Sequence, residues 1–372
     1  MPKRVLILMS DTGGGHRSAG EAIAEGLEHI GPGKFDVQLF DFIADGIPFP
    51  LNRASRLYRP AVTYSGPLWG WFWRMNDGHR RMVILLKFFT PWARSRLAQQ
   101  LRRTTPQAIV SVHSLSNHLA VQAVRELDKP IPVITLVTDL VQAHASWFCP
   151  NVDLCIIPSD VARQKALACG LSPQKIKVVG LPVSPKFGQE LGGKSERKGK
   201  LGLKPDLPAL LVVGGGEGMG KVFPIARAIA EARLPAQLLV IAGRNGSLRR
   251  RLKMTWEIPT TVFGFVDNMP ELMAASEVIV TKAGPATISE AIICGLPIII
   301  SGAIPYQEDL NIAYVVENGV GQFAEKPREV VNLLREWLQP GNGELSRMVQ
   351  NAHRLARPET TLEVARLIAD LC

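Results

Sequence analysis

The chain has 372 residues, 46% of them hydrophobic, and a formal net charge of +10 at pH 7. Its length favours two globular domains over one, and no apolar run reaches the roughly 18 residues of a membrane-spanning helix. The excess of Lys and Arg indicates a polyanionic partner, whether nucleic acid, anionic lipid or a phosphorylated substrate. Five cysteines without a CxxC pair predict neither a disulfide framework nor a zinc site. The first apolar run is too short for a signal peptide, so we expect a cytoplasmic protein.

A strand, a glycine loop and a helix are predicted for residues 5–27, VLILMSDTGGGHRSAGEAIAEGL. Residues 5–9 lack polar alternation, which is typical of a parallel strand buried on both faces. Gly13, Gly14 and Gly15 then lead into a helix whose first N–H groups favour a phosphate, and His16 lies beside that anion site. A tight turn without a ligand is the alternative. Ser18 stands where a dinucleotide fingerprint needs glycine, so an NAD site is not predicted.

Aromatic and basic side chains are concentrated in residues 53–103. This combination is typical of proteins at the boundary of water and lipid. A core helix pair with a solvated basic face is the alternative, and single-stranded nucleic acid ranks third because no RNA-binding motif accompanies the aromatic residues. The candidates for membrane or acceptor contact are Trp69, Trp71, Phe72, Trp73, Arg74, Arg80 and Arg81.

Strand-like and helical segments alternate between residues 108 and 183, which predicts a parallel sheet with helices on both faces. The predicted strands are residues 108–112, 133–138, 154–157 and 177–183. Ligands of such sheets lie beyond the carboxyl ends of the strands, where Asp139 is either a site carboxylate or a helix cap. Residues 186–208 are rich in Gly, Lys and Pro, which predicts a linker between domains.

A second series of strands and helices follows the predicted linker. Its strands are predicted at residues 210–213, 237–241, 262–266, 278–281 and 297–301. Glycine turns at residues 214–222 and 281–297 repeat the arrangement of the N-terminus, and Glu290 falls about two turns into the helix that follows the second turn. Residues 361–372 form one apolar helical face that must pack on one of the two domains.

Together these motifs resemble the family 28 glycosyltransferases of the GT-B fold over nearly the whole chain. SDTGGGHRSAGEAI and VTDLVQAHASWF are similar to the diacylglycerol glycosyltransferases, which include monogalactosyldiacylglycerol synthases and processive enzymes. Residues 264–301 are similar to a nucleotide-sugar domain that the N-acetylglucosaminyltransferase of lipid II shares. The resemblance implies two Rossmann-like α/β domains whose parallel sheets face a cleft. Residues 1–185 would be the acceptor domain and residues 186–358 the UDP-sugar domain, with helix 359–372 packing back on the first.

The resemblance also implies roles for single residues of the second domain. The backbone of Val266 would meet uracil, and Glu290 would accept hydrogen bonds from the ribose. Phosphate or ribose contacts would come from Gly215, Gly216, Gly218 and Met219, pyrophosphate contacts from Gly284, Ala286 and Thr287, and sugar contacts from Gln307, Glu308 and Asn311. The cation that balances the leaving diphosphate is left open among Lys221, Arg244 and Lys282.

The resemblance implies inverting transfer of a hexose from a UDP-sugar to diacylglycerol by a peripheral enzyme at the cytoplasmic face of a membrane. His16 is the first candidate for the general base, and Asp139 is the second candidate or the group that orients His16. No metal, other cofactor or nucleic-acid partner is predicted. The alternatives are another UDP-sugar enzyme, such as a lipid II-type N-acetylglucosaminyltransferase or an epimerase, or a silent basic binding protein. Galactose or glucose, single or processive addition, acyl preference and oligomeric state stay open.

Overall fold

The computed structural model describes residues 1–11, 14–46, 49, 51–53, 65–78, 93–127, 129–189 and 193–372. These residues form two compact units. Unit 1 comprises residues 1–185, 305–307 and 359–372, and unit 2 comprises residues 186–304 and 308–358. Each unit holds one parallel six-stranded sheet, so the described residues confirm the predicted α/β class.

The sheet of unit 1 has the strand order β2-β1-β3-β4-β5-β6, and every neighbouring pair is parallel. The four inner strands are mainly apolar runs buried on both faces, which is why they lack polar alternation, whereas the two edge strands are partly exposed. They are β1 (Lys3–Met9), β2 (Phe35–Asp41), β3 (Ala108–Ser111), β4 (Val133–Leu136), β5 (Leu154–Ile157) and β6 (Ile176–Val178). The helices are α1 (Gly15–Ile30), α2 (Gly66–Asn76), residues 93–104, α3 (Ser116–Val124), α4 (Asp160–Ala168) and α13 (Thr360–Ala369).

Helix α13 belongs to unit 1 although it lies at the end of the chain. It packs on α1 where Gly26 leaves room, since a Cβ there would lie 3.0 Å from the backbone oxygen of Thr361. The Thr361 hydroxyl donates to the Val183 carbonyl at 2.5 Å. The apolar face of α13 joins the core of unit 1 through Val364, Ala365 and Ile368.

The sheet of unit 2 has the order β12-β11-β10-β7-β8-β9 and is also parallel throughout. Counted from β7, this is the 3-2-1-4-5-6 order of a Rossmann sheet. The strands are β7 (Ala209–Val213), β8 (Gln237–Ile241), β9 (Thr260–Phe263), β10 (Val278–Thr281), β11 (Ile298–Ile300) and β12 (Gly321–Phe323). The helices are α5 (Lys194–Lys200), α6 (Val222–Glu231), α7 (Gly246–Arg251), α8 (Met269–Ala274), α9 (Pro285–Ile293), α10 (Asp309–Glu317), α11 (Pro327–Trp337) and α12 (Glu344–Leu355).

The prediction of a linker over residues 186–208 is wrong. This segment contains helix α5 and belongs to unit 2. Its anchor is polar: the buried Lys198 ammonium donates to Glu277 Oε1 at 3.0 Å and to the Leu207 carbonyl at 2.8 Å. Because polar contacts hold the segment in place, its sequence shows no apolar periodicity. For this reason its composition resembled that of a linker.

Both sheets have a switch point, where successive strands are added on opposite sides of the first strand. In unit 1 it lies between β1 and β3, and in unit 2 between β7 and β10. Ligands of open parallel sheets bind beyond the carboxyl ends of the strands at this point.

No described helix combines the length and hydropathy that crossing a membrane would need.

The close approach of α13 to Gly26 predicts the effect of a bulky side chain. We expect Gly26→Leu to destabilise unit 1 by about 1–3 kcal/mol, because Thr361 would have to move. Thermal unfolding measures the loss. Gly199→Leu in α5 is the matched control, because nothing lies within 4 Å of a Cβ there. Equal melting temperatures for Gly26→Leu and the parent would contradict the packing.

Candidate functional site

The glycine loop of unit 1 begins at the switch point. A hydrogen bond and an ion pair fix its first residue, Asp11. Asp41, at the end of β2, accepts the N–H of Asp11 at 3.2 Å, and the Asp11 carboxylate pairs with Arg17 at 2.6 Å. Gly14 has a φ of +84°, which favours glycine. No described residue lies within 4 Å of a Cβ placed on Gly15, so the described part of the chain leaves the first turn of α1 open to a ligand. Gly13 lies outside the described residues.

His16 follows this loop and is fixed by the neighbouring strand ends. Its Nδ1 lies 2.7 Å from the carbonyl oxygen of Val112, which follows β3, and 3.1 Å from Thr138 Oγ1. A carbonyl oxygen can only accept, so Nδ1 carries the proton. The neutral imidazole therefore keeps the Nε2 lone pair for accepting a proton.

Burial lowers the pKa of His16 to about 4, although the hydrogen bond to Val112 acts in the opposite direction. His16 therefore titrates well below the ordinary range of an imidazole. His113, whose ring centroid is 4.5 Å away, also has its pKa well below the usual value because of burial and the nearby His16. His113 Nδ1 accepts the N–H of Leu115 at 3.2 Å. Both rings are neutral at pH 7, and His16 can accept a proton without first losing one.

The indole ring of Trp147 lies near His16 and is hydrogen-bonded to Asp139. Its Oδ2 accepts the Trp147 N–H at 2.7 Å, and the ring of Trp147 lies 6.0 Å from that of His16. Asp139 and Trp147 are both buried. Asp139 therefore contacts Trp147, and Val112 and Thr138 contact His16.

Helix α2 is attached to the same loop. The rings of His144 and Trp73 are in contact at a tilt of 51°, with centroids 4.5 Å apart, and Asp77 accepts the Ala145 N–H at 2.8 Å. Asp77 also pairs with Lys165 at 3.0 Å. The helix that carries the predicted membrane contacts is therefore fixed beside the loop of Asp139 and Trp147.

The described side chains among the predicted membrane residues fall into two groups, one exposed and one packed on neighbouring residues. Trp71 is 58% exposed on α2, with Leu68 and Met75 exposed along the same helix. Trp73 instead packs on His144, and Arg74 lies over the Tyr306 ring at 5.8 Å. The side chains of Trp69 and Phe72 and the residues Arg80 and Arg81 lie outside the described part.

The glycine loop of unit 2 divides into packing and open positions. A Cβ on Gly218, whose φ is +57°, would lie 2.1 Å from the Ala242 oxygen, so only glycine fits. The side chain of Met219 is buried in the protein. Gly215 and Gly216 are more open, with side chains of Lys282 and Arg244 nearest to them at 3.8 and 3.7 Å. Backbone at these two positions is accessible to a ligand.

Arg244 lies at the edge of this loop. Its guanidinium stacks on Phe265 at 4.2 Å from the ring centroid and pairs with Glu217 at 3.2 Å. Phe265 is 57% exposed, and Val266 follows it after the end of β9. This places an exposed aromatic face beside the predicted uracil contact.

Helix α9 begins at the carboxyl end of β10. Gly284 is its N-cap and Pro285 its first residue, and Ala286 and Thr287 lie in the first turn, whose N–H groups have no acceptor within the helix. Glu290 lies one turn further. Burial raises the pKa of Glu290 to about 7. The helix therefore presents donors for an anion, followed by a carboxyl group poised near neutrality.

Of the three residues predicted to contact the sugar, two belong to unit 2 and one belongs to unit 1. Glu308 is buried and pairs with Lys282 at 2.5 Å, and the Asn311 amide donates to the Ala283 carbonyl at 2.9 Å. Gln307 belongs to the 305–307 segment of unit 1, and its Oε1 is buried without a hydrogen-bond partner among the described residues.

Sequence reasoning did not assign roles to Thr138, Trp147 or Phe265. Thr138 is 122 residues away from His16 along the chain, so no local pattern could reveal their contact. Phe265, next to Val266, was within reach of the motif. In the described part of the chain, no three His, Cys, Asp or Glu side chains are grouped as metal ligands.

The raised pKa of Glu290 predicts a pH-dependent cost to stability. Between pH 4.5 and about 7 the unfolded carboxyl ionises while the folded one stays protonated, so stability falls as pH rises through this window. We expect Glu290→Gln to be about 1–3 kcal/mol more stable than the parent at pH 8, with no gain at pH 4. Denaturant unfolding at both pH values measures this, with Glu317→Gln on the exposed face of α10 as the control. No gain at pH 8 would refute the burial of the carboxyl.

Two family models match this chain. Monogalactosyldiacylglycerol (MGDG) synthase matches residues 16–183, and the glycosyltransferase family 28 C-terminal domain matches residues 209–361. Among relatives, monogalactosyldiacylglycerol synthase 1, chloroplastic, of Arabidopsis thaliana is 40% identical over all of this chain and 71% of its own length. The probable enzyme of Nicotiana tabacum shows the same identity and coverage.

Solved structures share the fold at low sequence identity. MurG of Acinetobacter baumannii is 16% identical with a TM-score of 0.63, over 99% of this chain and 100% of its own. HepE of Anabaena in complex with UDP-glucose is 14% identical with a TM-score of 0.58, over 99% and 98%. These similarities confirm the GT-B fold. The family itself follows from the relatives that are 40% identical over the whole chain. This identity shows that the chain is a glycosyltransferase and belongs to the monogalactosyldiacylglycerol synthase family.

Proposed function

We propose that this protein transfers a hexose, galactose or glucose, from a UDP-sugar to the sn-3 hydroxyl of 1,2-diacylglycerol with inversion. The product is a β-glycosyl diacylglycerol formed at a membrane surface. The observation that carries the proposal is the fixed tautomer of His16, which offers an unprotonated Nε2 at the switch point of unit 1. Relatives at 40% identity are named monogalactosyldiacylglycerol synthases, which supports the acceptor and favours galactose.

The chemistry is a single displacement at the anomeric carbon. The acceptor oxygen forms a bond to that carbon, its proton passes to His16 Nε2, and the bond to the β-phosphate breaks with its electron pair on UDP. A neutral imidazole of pKa about 4 is ready to accept at pH 7, and transfer is driven by the rising acidity of the hydroxyl as its bond to carbon forms.

Unit 2 supplies the groups that suit a nucleotide diphosphate. Its open glycine backbone at Gly215 and Gly216 and the first turn of α9 direct N–H groups to one sheet edge. Glu290 lies one turn beyond, and we propose that it accepts hydrogen bonds from the ribose hydroxyls. Such donors stabilise the departing charge, so we propose that no metal is needed.

The membrane role rests on the apolar residues that α2 exposes. Leu68, Trp71 and Met75 present an exposed apolar stripe, and the chain carries a charge of +10. Anionic lipid is the occupant that complements this charge. We propose peripheral attachment, and the cytoplasmic face stays a prediction.

A direct assay tests the proposed function. The purified protein should convert diacylglycerol and UDP-galactose or UDP-glucose to a glycolipid whose anomeric proton in NMR reports a β linkage. UDP-N-acetylglucosamine with the same acceptor is the control donor. Epimerised UDP-sugar without glycolipid, or transfer of N-acetylglucosamine alone, would favour the alternative activities on this fold.

His16→Ala should lower kcat by about two orders of magnitude, with KM for the UDP-sugar changed only a few-fold. Asp139→Asn keeps an acceptor for the Trp147 N–H and should lose far less activity. At saturating UDP-sugar, His16 should add no pH dependence to the kcat of the parent between pH 8 and 5, because it is neutral throughout that range. An inactive but folded Asp139→Asn together with an active His16→Ala would transfer the base role to the carboxylate.

Removing the exposed apolar stripe should weaken membrane binding. We expect Leu68→Ser with Trp71→Ser to reduce sedimentation with vesicles that contain anionic phospholipid, while UDP binding persists. Added salt should weaken binding of the parent by screening its basic groups. Phe323→Ser, which removes an exposed aromatic ring from β12, is the matched control. If the double variant bound vesicles as well as the parent, the result would favour the alternative in which α2 is part of a core helix pair with a solvated basic face.

A further inference from the structure

Lys282 lies at the switch point of unit 2, directly after β10. Its Cε is 3.8 Å from the position of a Cβ on Gly215, and its Nζ is 3.0 Å from the corresponding position on Gly284. The ammonium therefore lies between the open part of the glycine loop and the N-cap of α9. These are the two backbone segments that suit a diphosphate.

The partner of Lys282 is a carboxylate that is held in place. Glu308 Oε1 accepts from Lys282 at 2.5 Å, while Oε2 accepts the Ile304 N–H at 2.9 Å. The Glu308 side chain is only 4% exposed, and its own N–H donates to the Ile304 carbonyl. Lys282 has a flexible four-carbon stem and keeps some exposure, so it is the member of the pair that can move.

The other two candidate cations, Lys221 and Arg244, are more exposed to solvent than Lys282. Lys221 pairs with Glu325 where both side chains are about half exposed, at 45% and 57%. Arg244 is 42% exposed and is engaged by Glu217 and the Phe265 ring. Lys282 is 19% exposed. Water and salt screen a charge less when it is buried, so Lys282 offers the strongest interaction with a bound anion.

We propose that Lys282 exchanges Glu308 for the diphosphate when the donor binds, and that it balances the charge of departing UDP. The inference rests on the proposed function, in which unit 2 binds a UDP-sugar. When the bond from the anomeric carbon to the β-phosphate oxygen breaks, its electron pair stays on that oxygen beside the ammonium. The exchange also releases Glu308 Oε1 to accept a hydroxyl of the sugar. One ion pair thus keeps both subsites neutral before the donor arrives.

Calorimetry with UDP and with uridine tests the exchange, because only UDP carries the diphosphate. We expect Lys282→Met to weaken UDP by about tenfold or more and to leave uridine unchanged. Glu308→Gln should bind UDP at least as tightly as the parent, since no carboxylate then competes for Lys282. Lys282→Arg should retain most of the affinity for UDP. Lys221→Met, which removes an equal charge, should lose several times less than Lys282→Met.

Three results would overturn the exchange: parental UDP affinity in Lys282→Met, a larger loss in Lys221→Met, or parallel losses of UDP affinity and melting temperature in Lys282→Met and Glu308→Gln. The third would mean that the pair only stabilises the fold. If Lys282→Met does not fold, the result for Glu308→Gln decides, because weaker UDP binding in that variant contradicts competition. A parent protein that binds no UDP would instead contradict the proposed function.

Discussion

The parallel direction of all strands is the constraint on which both candidate sites depend. Parallel strands end at one edge of a sheet, and a change in strand order leaves a gap there between two strand ends. In unit 1 the gap lies beside the loop of Gly14 and Gly15, and in unit 2 beside the loop of Gly215 and Gly216. Each glycine loop therefore brings backbone donors to a place where the neighbouring strand adds a side chain. His16 meets Val112 in this way, and Gly215 meets Lys282.

Burial at these edges determines the charge of the groups. It lowers the pKa of His16 to about 4 and raises the pKa of Glu290 to about 7, so both groups tend towards their neutral forms. Lys282 and Glu308 instead remain as a pair, because each compensates the charge of the other. The pair carries no net charge before an anionic substrate binds, and the Glu308 carboxylate keeps the Ile304 N–H as a donor when Lys282 leaves it. The cost to folding stability is typical of positions selected for binding and chemistry.

Much of the fold could be predicted from the sequence because the inner strands of both sheets are apolar on both faces. The strands at residues 154–157, 237–241 and 278–281 have the predicted limits. Strand β12 was missed because it is a three-residue strand at the sheet edge and partly exposed, and α5 was missed because ionic contacts hold it. The glycine loops and His16 were visible as local motifs. The contact of His16 with Thr138 joins chain segments that only folding brings together, and the contact of Asp139 with Trp147 depends on the path of an irregular loop.

The central claim is that burial holds His16 neutral, while the Val112 carbonyl keeps its proton on Nδ1 and leaves Nε2 free. Long-range proton–nitrogen NMR of protein labelled with ¹⁵N-histidine tests it most directly, with His16→Ala used to assign the signals. The account predicts a proton on Nδ1 and none on Nε2 from pH 8 to pH 5, with protonation centred near pH 4. A proton on Nε2 at neutral pH, or a midpoint near the ordinary value of about 6.5, would contradict it.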